Sequence, residues 1–127
     1  MYSHITLGSN DLSKAEPLYD ALMAVLGHPV LMKTPAALGY GEPSGQHLFI
    51  VPPFDRKEAH PGNGVHAAFS ADTRAKVDAF YKAAMDNGGS DAGPPGLRPH
   101  YHPNYYGAYV RNPDGNKIQA VCHRKEG

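Results

Sequence analysis

The chain of 127 residues has one cysteine, Cys122, and no tryptophan. A single thiol forms no internal disulfide and cannot build a cysteine-ligated zinc site or an iron–sulfur cluster. Neither sign of charge is in excess, because 12 Lys and Arg balance 12 Asp and Glu. A neutral chain lacks the basic footprint of a general nucleic-acid binder or of a protein held on an anionic membrane. No apolar run approaches the length of a membrane span, and Met1-Tyr2-Ser3-His4 does not read as a signal peptide. These absences predict a cytoplasmic protein without nucleic-acid or membrane partners. Disorder is excluded on composition, with 41% apolar and only 19% charged residues. A chain of this length buries roughly two-thirds of its unfolded surface, enough for one domain with its own core.

Histidine and the turn formers are abundant, with eight His, 14 Gly and 12 Pro. So many turn residues imply short elements. The chain also repeats itself. Sliding it so that His4 falls on His66 also superposes Tyr19 on Tyr81, Ala21 on Ala83, Met23 on Met85 and Gly27 on Gly89. A slightly larger offset lays Pro43-Ser44-Gly45 on Pro113-Asp114-Gly115, Leu48 on Ile118 and Val51 on Val121. The extra residues fall in the Gly/Pro/His loop between Ser90 and Asn104.

Each half reads as strand, helix and three strands. In the first, residues 2–7 alternate, and residues 14–26 carry an apolar stripe of Leu18, Leu22, Val25 and Leu26. Ser13 with Glu16, or Asp11 one turn earlier, caps that helix, and Gly27 stops it. Strands follow near 29–33, 36–41 and 46–51, with a turn at Glu42-Pro43-Ser44-Gly45. Residues 52–63 are a linker. In the second half, strand 64–70 sets Val65, Ala67 and Phe69 on one face and His66, Ala68 and Ser70 on the other. Helix 73–87, capped by Asp72, carries Val77, Phe80, Tyr81 and Ala84. A strand within 92–99 precedes strands 105–111 and 117–123, joined by Asn112-Pro113-Asp114-Gly115. The predicted fold is α+β: two βαβββ modules, about 1–53 and 63–123, forming a curved sheet with helices outside and a cup inside.

The helices cover the faces bearing Ile5 and Leu7 and those bearing Val65 and Phe69, so His4 and His66 point into the cup. Two neutral imidazoles on rigid strands suit a metal site. In the last strand Gln119 shares a face with Lys117, Val121 and His123 and is the natural third group. Its repeat mate is Phe49. The stretch from Arg98 to Tyr106 offers Arg98 for a carboxylate or phosphate, and His100, His102 and Tyr105 as polar contacts. Tyr105, Gly107 and Tyr109 share a strand face. His28, His47 and His60 read as surface residues, Cys122 as an inert core residue, and His123 onward as a solvated tail.

Three stretches carry a family resemblance: His4 followed by Asn10-Asp11-Leu12, then Gly64-Val65-His66-Ala67-Ala68-Phe69, and Tyr109-Val110-Arg111-Asn112-Pro113-Asp114-Gly115-Asn116-Lys117-Ile118-Gln119. The whole chain resembles the vicinal oxygen chelate superfamily, which includes glyoxalase I, bleomycin-resistance proteins and extradiol dioxygenases. The resemblance implies a small-molecule enzyme with a divalent metal polarising vicinal substrate oxygens. It implies ligands at His4, His66 and Gln119, with a fourth position on the strand of Phe49. Gln replaces the family's usual Glu and Phe49 is apolar, so the ion (Zn, Ni, Fe or Co) is expected to be weakly held. Both obvious carboxylate bases are gone, which argues against glyoxalase I chemistry. Substrate contacts are expected from Phe49, Arg98, His100, His102, Tyr105 and Tyr109. The alternative is a non-catalytic, metal-free ligand binder of the bleomycin-resistance type. Exposed sheet edges and the size of the chain lead to the expectation of a homodimer.

Overall fold

A computed structural model describes residues 1–125. The elements run β1 (His4–Gly8), α1 (Leu12–Leu26), β2 (Val30–Thr34), β3 (Ala37–Tyr40), β4 (His47–Val51), β5 (His66–Ser70), α2 (Arg74–Asp86), β6 (Ser90–Leu97), β7 (Tyr106–Arg111) and β8 (Lys117–Cys122). This is βαβββ twice, as the repeat predicts. Each module is one four-stranded sheet, ordered β1-β4-β3-β2 and β5-β8-β7-β6. In both, the first strand pairs parallel with the last and the other pairings are antiparallel. A helix must therefore cross over between strands, and each helix covers one sheet face.

Local chemistry sets the helix ends. Asp11 caps α1, its carboxylate accepting from the Ser13 backbone N–H at 2.9 Å. Gly27 closes the helix at φ 83°, and the N–H of His28 returns to the Met23 carbonyl at 2.8 Å. The cap of α2 is Thr73, which accepts from the Lys76 N–H at 3.1 Å. Asp72, the cap expected from sequence, sits one residue too early and faces the Lys76 ammonium at 3.5 Å instead.

The stripes of α1 and α2 make one core with the covered sheet faces. Leu18, Tyr19, Leu22, Val77, Phe80, Ile50 and Ile118 have no exposed surface. Val65 departs from expectation. Strand β5 begins only at His66, so Val65 lies in the preceding loop and is 64% exposed.

The Asn112-Pro113-Asp114-Gly115-Asn116 turn fastens the modules together. Asn112 Oδ1 accepts from the backbone N–H groups of Asp114 and Asn116, which shapes the turn. Asn112 Nδ2 donates to the Tyr19 hydroxyl at 2.6 Å, Asn116 Nδ2 to the Gly8 carbonyl at 2.9 Å, and the Asn10 N–H to Asp114 Oδ1 at 2.8 Å. One polar turn thus holds the end of β1 and the buried side of α1 against the second module.

Candidate functional site

Opposite the helices, each sheet presents an uncovered face. On the first module it carries His4, Thr6, His47 and Phe49, which are in register on β1 and β4. The imidazoles of His4 and His47 approach the Phe49 ring edge-on, at 5.4 and 5.9 Å between centroids. His47, read from sequence as a surface residue, is half-buried here and bonds through Nε2 to the Glu42 carbonyl at 2.8 Å. Its position directly beside His4 follows from the parallel register, which the sequence does not state.

The second module's wall is richer. The register sets Ala68, Gln119 and Tyr109 side by side on β5, β8 and β7. His66 packs edge-on to the Tyr109 ring at 5.6 Å, the Lys117 ammonium lies 4.7 Å from that ring's centre, and the Arg98 guanidinium 5.6 Å. Arg98, expected to meet an acidic ligand group, commits two of its five N–H groups within its own loop. Its two terminal nitrogens donate to the Gly96 and Pro94 carbonyls, each at 2.9 Å, so it braces its own turn.

Gln119 lies at the centre of this wall and has no exposed surface. Its Nε2 donates to the Tyr105 hydroxyl at 2.6 Å, and its Oε1 is buried without a hydrogen-bond partner. The Tyr105 and Tyr101 hydroxyls crowd that of Tyr109. Burial, followed by these two phenols, pushes the Tyr109 hydroxyl well above the ordinary phenol range, so it stays a neutral donor. Tyr106, on the opposite strand face, turns toward α2 and donates to Asp78 at 2.6 Å. The Tyr105 and Tyr109 pair is therefore the cup-lining one, and Cys122 is buried on the core side as predicted.

His102 and His123 form a pair that the sequence did not reveal. His102 Nε2 and His123 Nδ1 are 2.8 Å apart, and the Tyr105 ring meets both imidazoles edge-on. His100 instead stacks on Tyr101 at 4.3 Å. Residues 124 and 125 continue past the pair as exposed chain.

A cavity of about 610 Å³ runs between the modules, and both His4 and His66 line it. The two rings do not touch each other. Asn116 ties the Gly8 end of β1 to the start of β8, beside His66, whereas His4 starts β1 about 13 Å of strand away. His66 and Gln119 thus share one wall, and His4 stands with Phe49 on the other module. Among the described residues no three His, Cys, Asp or Glu side chains gather into a ligand set. The donors that remain fit a weakly held ion: neutral imidazoles and one unpartnered amide oxygen, without a carboxylate.

The family model "Glyoxalase/Bleomycin resistance protein/Dioxygenase superfamily" matches residues 2–120. The chain belongs to this superfamily. Among solved structures it is similar to a glyoxalase/bleomycin resistance protein from Albidiferax ferrireducens T118, at 36% identity over 98% of this chain and 99% of that one, with a TM-score of 0.88. It also resembles in fold a glyoxalase-related enzyme from Fulvimarina pelagi, at 22% identity over 96% of this chain and 87% of that one, with a TM-score of 0.75. A lactoylglutathione lyase from Agrobacterium tumefaciens shares the fold at 20% identity, over 96% of this chain and 92% of that one, with a TM-score of 0.63. No curated protein matches. For a superfamily chain the twin sheets with uncovered faces are the expected scaffold, and the residues on those faces decide the chemistry.

Proposed function

We propose that this superfamily member is a small-molecule enzyme whose substrate presents oxygen atoms to the wall of His66, Tyr105, Tyr109 and Gln119. The observation that carries this reading is the buried, unpartnered Gln119 Oε1. A carbonyl oxygen left so costs about 1–3 kcal/mol unless a bound water, ion or ligand supplies the missing partner. A divalent ion of the zinc, nickel, iron or cobalt class, held by Gln119 Oε1 and His66, which share one wall, would be that partner. When bound it supplies Lewis-acid polarisation of vicinal substrate oxygens.

The chain's own groups do the rest. The Tyr105 and Tyr109 phenols offer O–H donors to a developing oxyanion, and Lys117 adds a positive charge beside Tyr109. Neither wall carries a carboxylate base at the positions of Gln119 and Phe49, so proton abstraction of the glyoxalase I type is not part of this proposal. We also propose that the chain pairs as a homodimer through its exposed sheet edges. Sedimentation at micromolar concentration tests this, and a monomer there refutes the pairing.

Calorimetric titration with Zn²⁺ and Ni²⁺ tests the ligand set. Gln119→Glu adds a charge and tightens binding about tenfold or more, while His66→Ala abolishes it. If both variants bind as the parent does, these residues are not the ligands.

A further inference from the structure

We propose that His66, Lys117 and Arg111 form an anion subsite, which takes the carboxylate or phosphate group of a small-molecule ligand. This inference rests on the reading of the adjoining wall as a substrate site and names the class of substrate. The register carries it. His66 is in register with Lys117 on β8, and Lys117 with Arg111 on β7. Side chains in register on neighbouring strands leave the sheet on the same side, about 5 Å apart at Cβ. Three basic residues therefore form one row across three strands.

The Lys117 and Arg111 pair opposes folding, because like charges directly opposite each other repel. No acid offsets it. Among the described residues neither Lys117 nor Arg111 has an ion pair. The nearby Asp114 carboxylate is committed to the Asn10 N–H. Arg111 Nη1 donates to the Gly115 carbonyl at 2.7 Å, which fixes the guanidinium and leaves its other N–H groups uncommitted. Lys117 rests on the Tyr109 face, which orients its ammonium without neutralising it.

The row also has a cavity to serve. A depression of about 460 Å³ is lined by the loop from Pro61 to Val65 together with His66, Arg111 and Lys117, and no acidic residue lines it. His66 lines this depression and the larger inter-module cavity alike. An anion seated here lies one pleat repeat along β8 from Gln119, about 7 Å. A ligand with an acidic group at one end and oxygen functions at the other spans that distance.

The test uses the metal-free protein and two probes, inorganic phosphate and succinate, followed by amide NMR shifts. Saturable shifts are expected at Gly62, Gly64, His66, Arg111 and Lys117, weakening as salt is added. Arg111→Gln and Lys117→Met should each weaken binding about tenfold. Each variant should also bind with a shallower salt dependence than the parent, which loss of a structural contact alone would not produce. Shifts that do not saturate, that lie elsewhere, or that persist in both variants overturn the subsite. Gln119→Glu separates the two readings, because it alters Zn²⁺ titration while phosphate still binds the basic row.

Discussion

The bond from Gln119 Nε2 to the Tyr105 hydroxyl, 2.6 Å long, decides which end of the amide is left for a ligand. With the nitrogen committed, the oxygen is the open valence. That orientation depends on a glycine. A Cβ at Gly107 would stand 2.9 Å from Gln119 Nε2 and 3.3 Å from the Ala120 carbonyl.

Gly107→Ala should therefore turn the amide while leaving the sheet intact. The atom it strikes first is the end of a side chain, so a cost of about 1–3 kcal/mol is expected. Zn²⁺ affinity should fall more than the loss of stability explains. Parallel melting and calorimetric curves check this, and unchanged metal binding in a folded variant would show that the amide orientation is immaterial.

The fold was legible in the sequence because duplication prints the same pattern twice. His4 with His66, and Pro43-Ser44-Gly45 with Pro113-Asp114-Gly115, sufficed to set both modules in order. The face assignment of Gln119, Tyr105 and Tyr109 followed from strand alternation. What alternation cannot give is the register between strands, and the missed relations depend on it. His47 beside His4, and the row of His66, Lys117 and Arg111, exist only once β1 is laid on β4 and β5 on β8. The bracing role of Arg98 was hidden for a different reason. A free guanidinium and one bonded to its own turn are the same letter. The departure of Val65 shows a third limit, since a strand's first residue is set by where its partner begins.

Asn112 and Tyr19 join the modules through a hydrogen bond buried on both sides. Asn112→Ala removes the donor to Tyr19 and the acceptor that shapes the turn. A destabilisation of about 2–4 kcal/mol is expected from the two losses together. Tyr19→Phe leaves only the Asn112 amide unpaired and should cost less, about 1–2 kcal/mol. Urea unfolding measures both. Equal effects would mean that the turn contacts contribute nothing.

The imidazole pair of His102 and His123 has one consistent proton assignment. The Asn104 N–H donates to His102 Nδ1 at 3.0 Å, so that nitrogen carries a lone pair. The proton then sits on Nε2 and is donated to His123 Nδ1. Nitrogen-15 spectra at pH 8 should show His102 as the Nε2–H tautomer. His123→Ala removes the acceptor and should loosen the loop from Arg98 to Tyr105. A His102 protonated on Nδ1 at pH 8 would refute the assignment.

The buried phenols predict how stability responds to alkali. Burial raises the Tyr19 hydroxyl above its ordinary value. Burial and then the Asp20 carboxylate, 2.8 Å away, do the same for Tyr40, and burial with two neighbouring phenols does so for Tyr109. In the unfolded chain these groups release their protons near pH 10, and in the folded protein they keep them. Above that pH the unfolded state binds fewer protons, so stability falls as pH rises. Below it, the contribution is fully present. The melting temperature should therefore be insensitive to these groups at pH 8 and decline progressively beyond about pH 10. Tyr40→Phe removes one raised hydroxyl and should make that decline shallower, although the variant starts less stable by about 1 kcal/mol through loss of the Asp20 bond. Circular dichroism melts from pH 8 to 11, with absorbance at 295 nm to count ionised phenols, measure both effects. A decline of equal steepness in the two proteins would show that Tyr40 does not contribute to it.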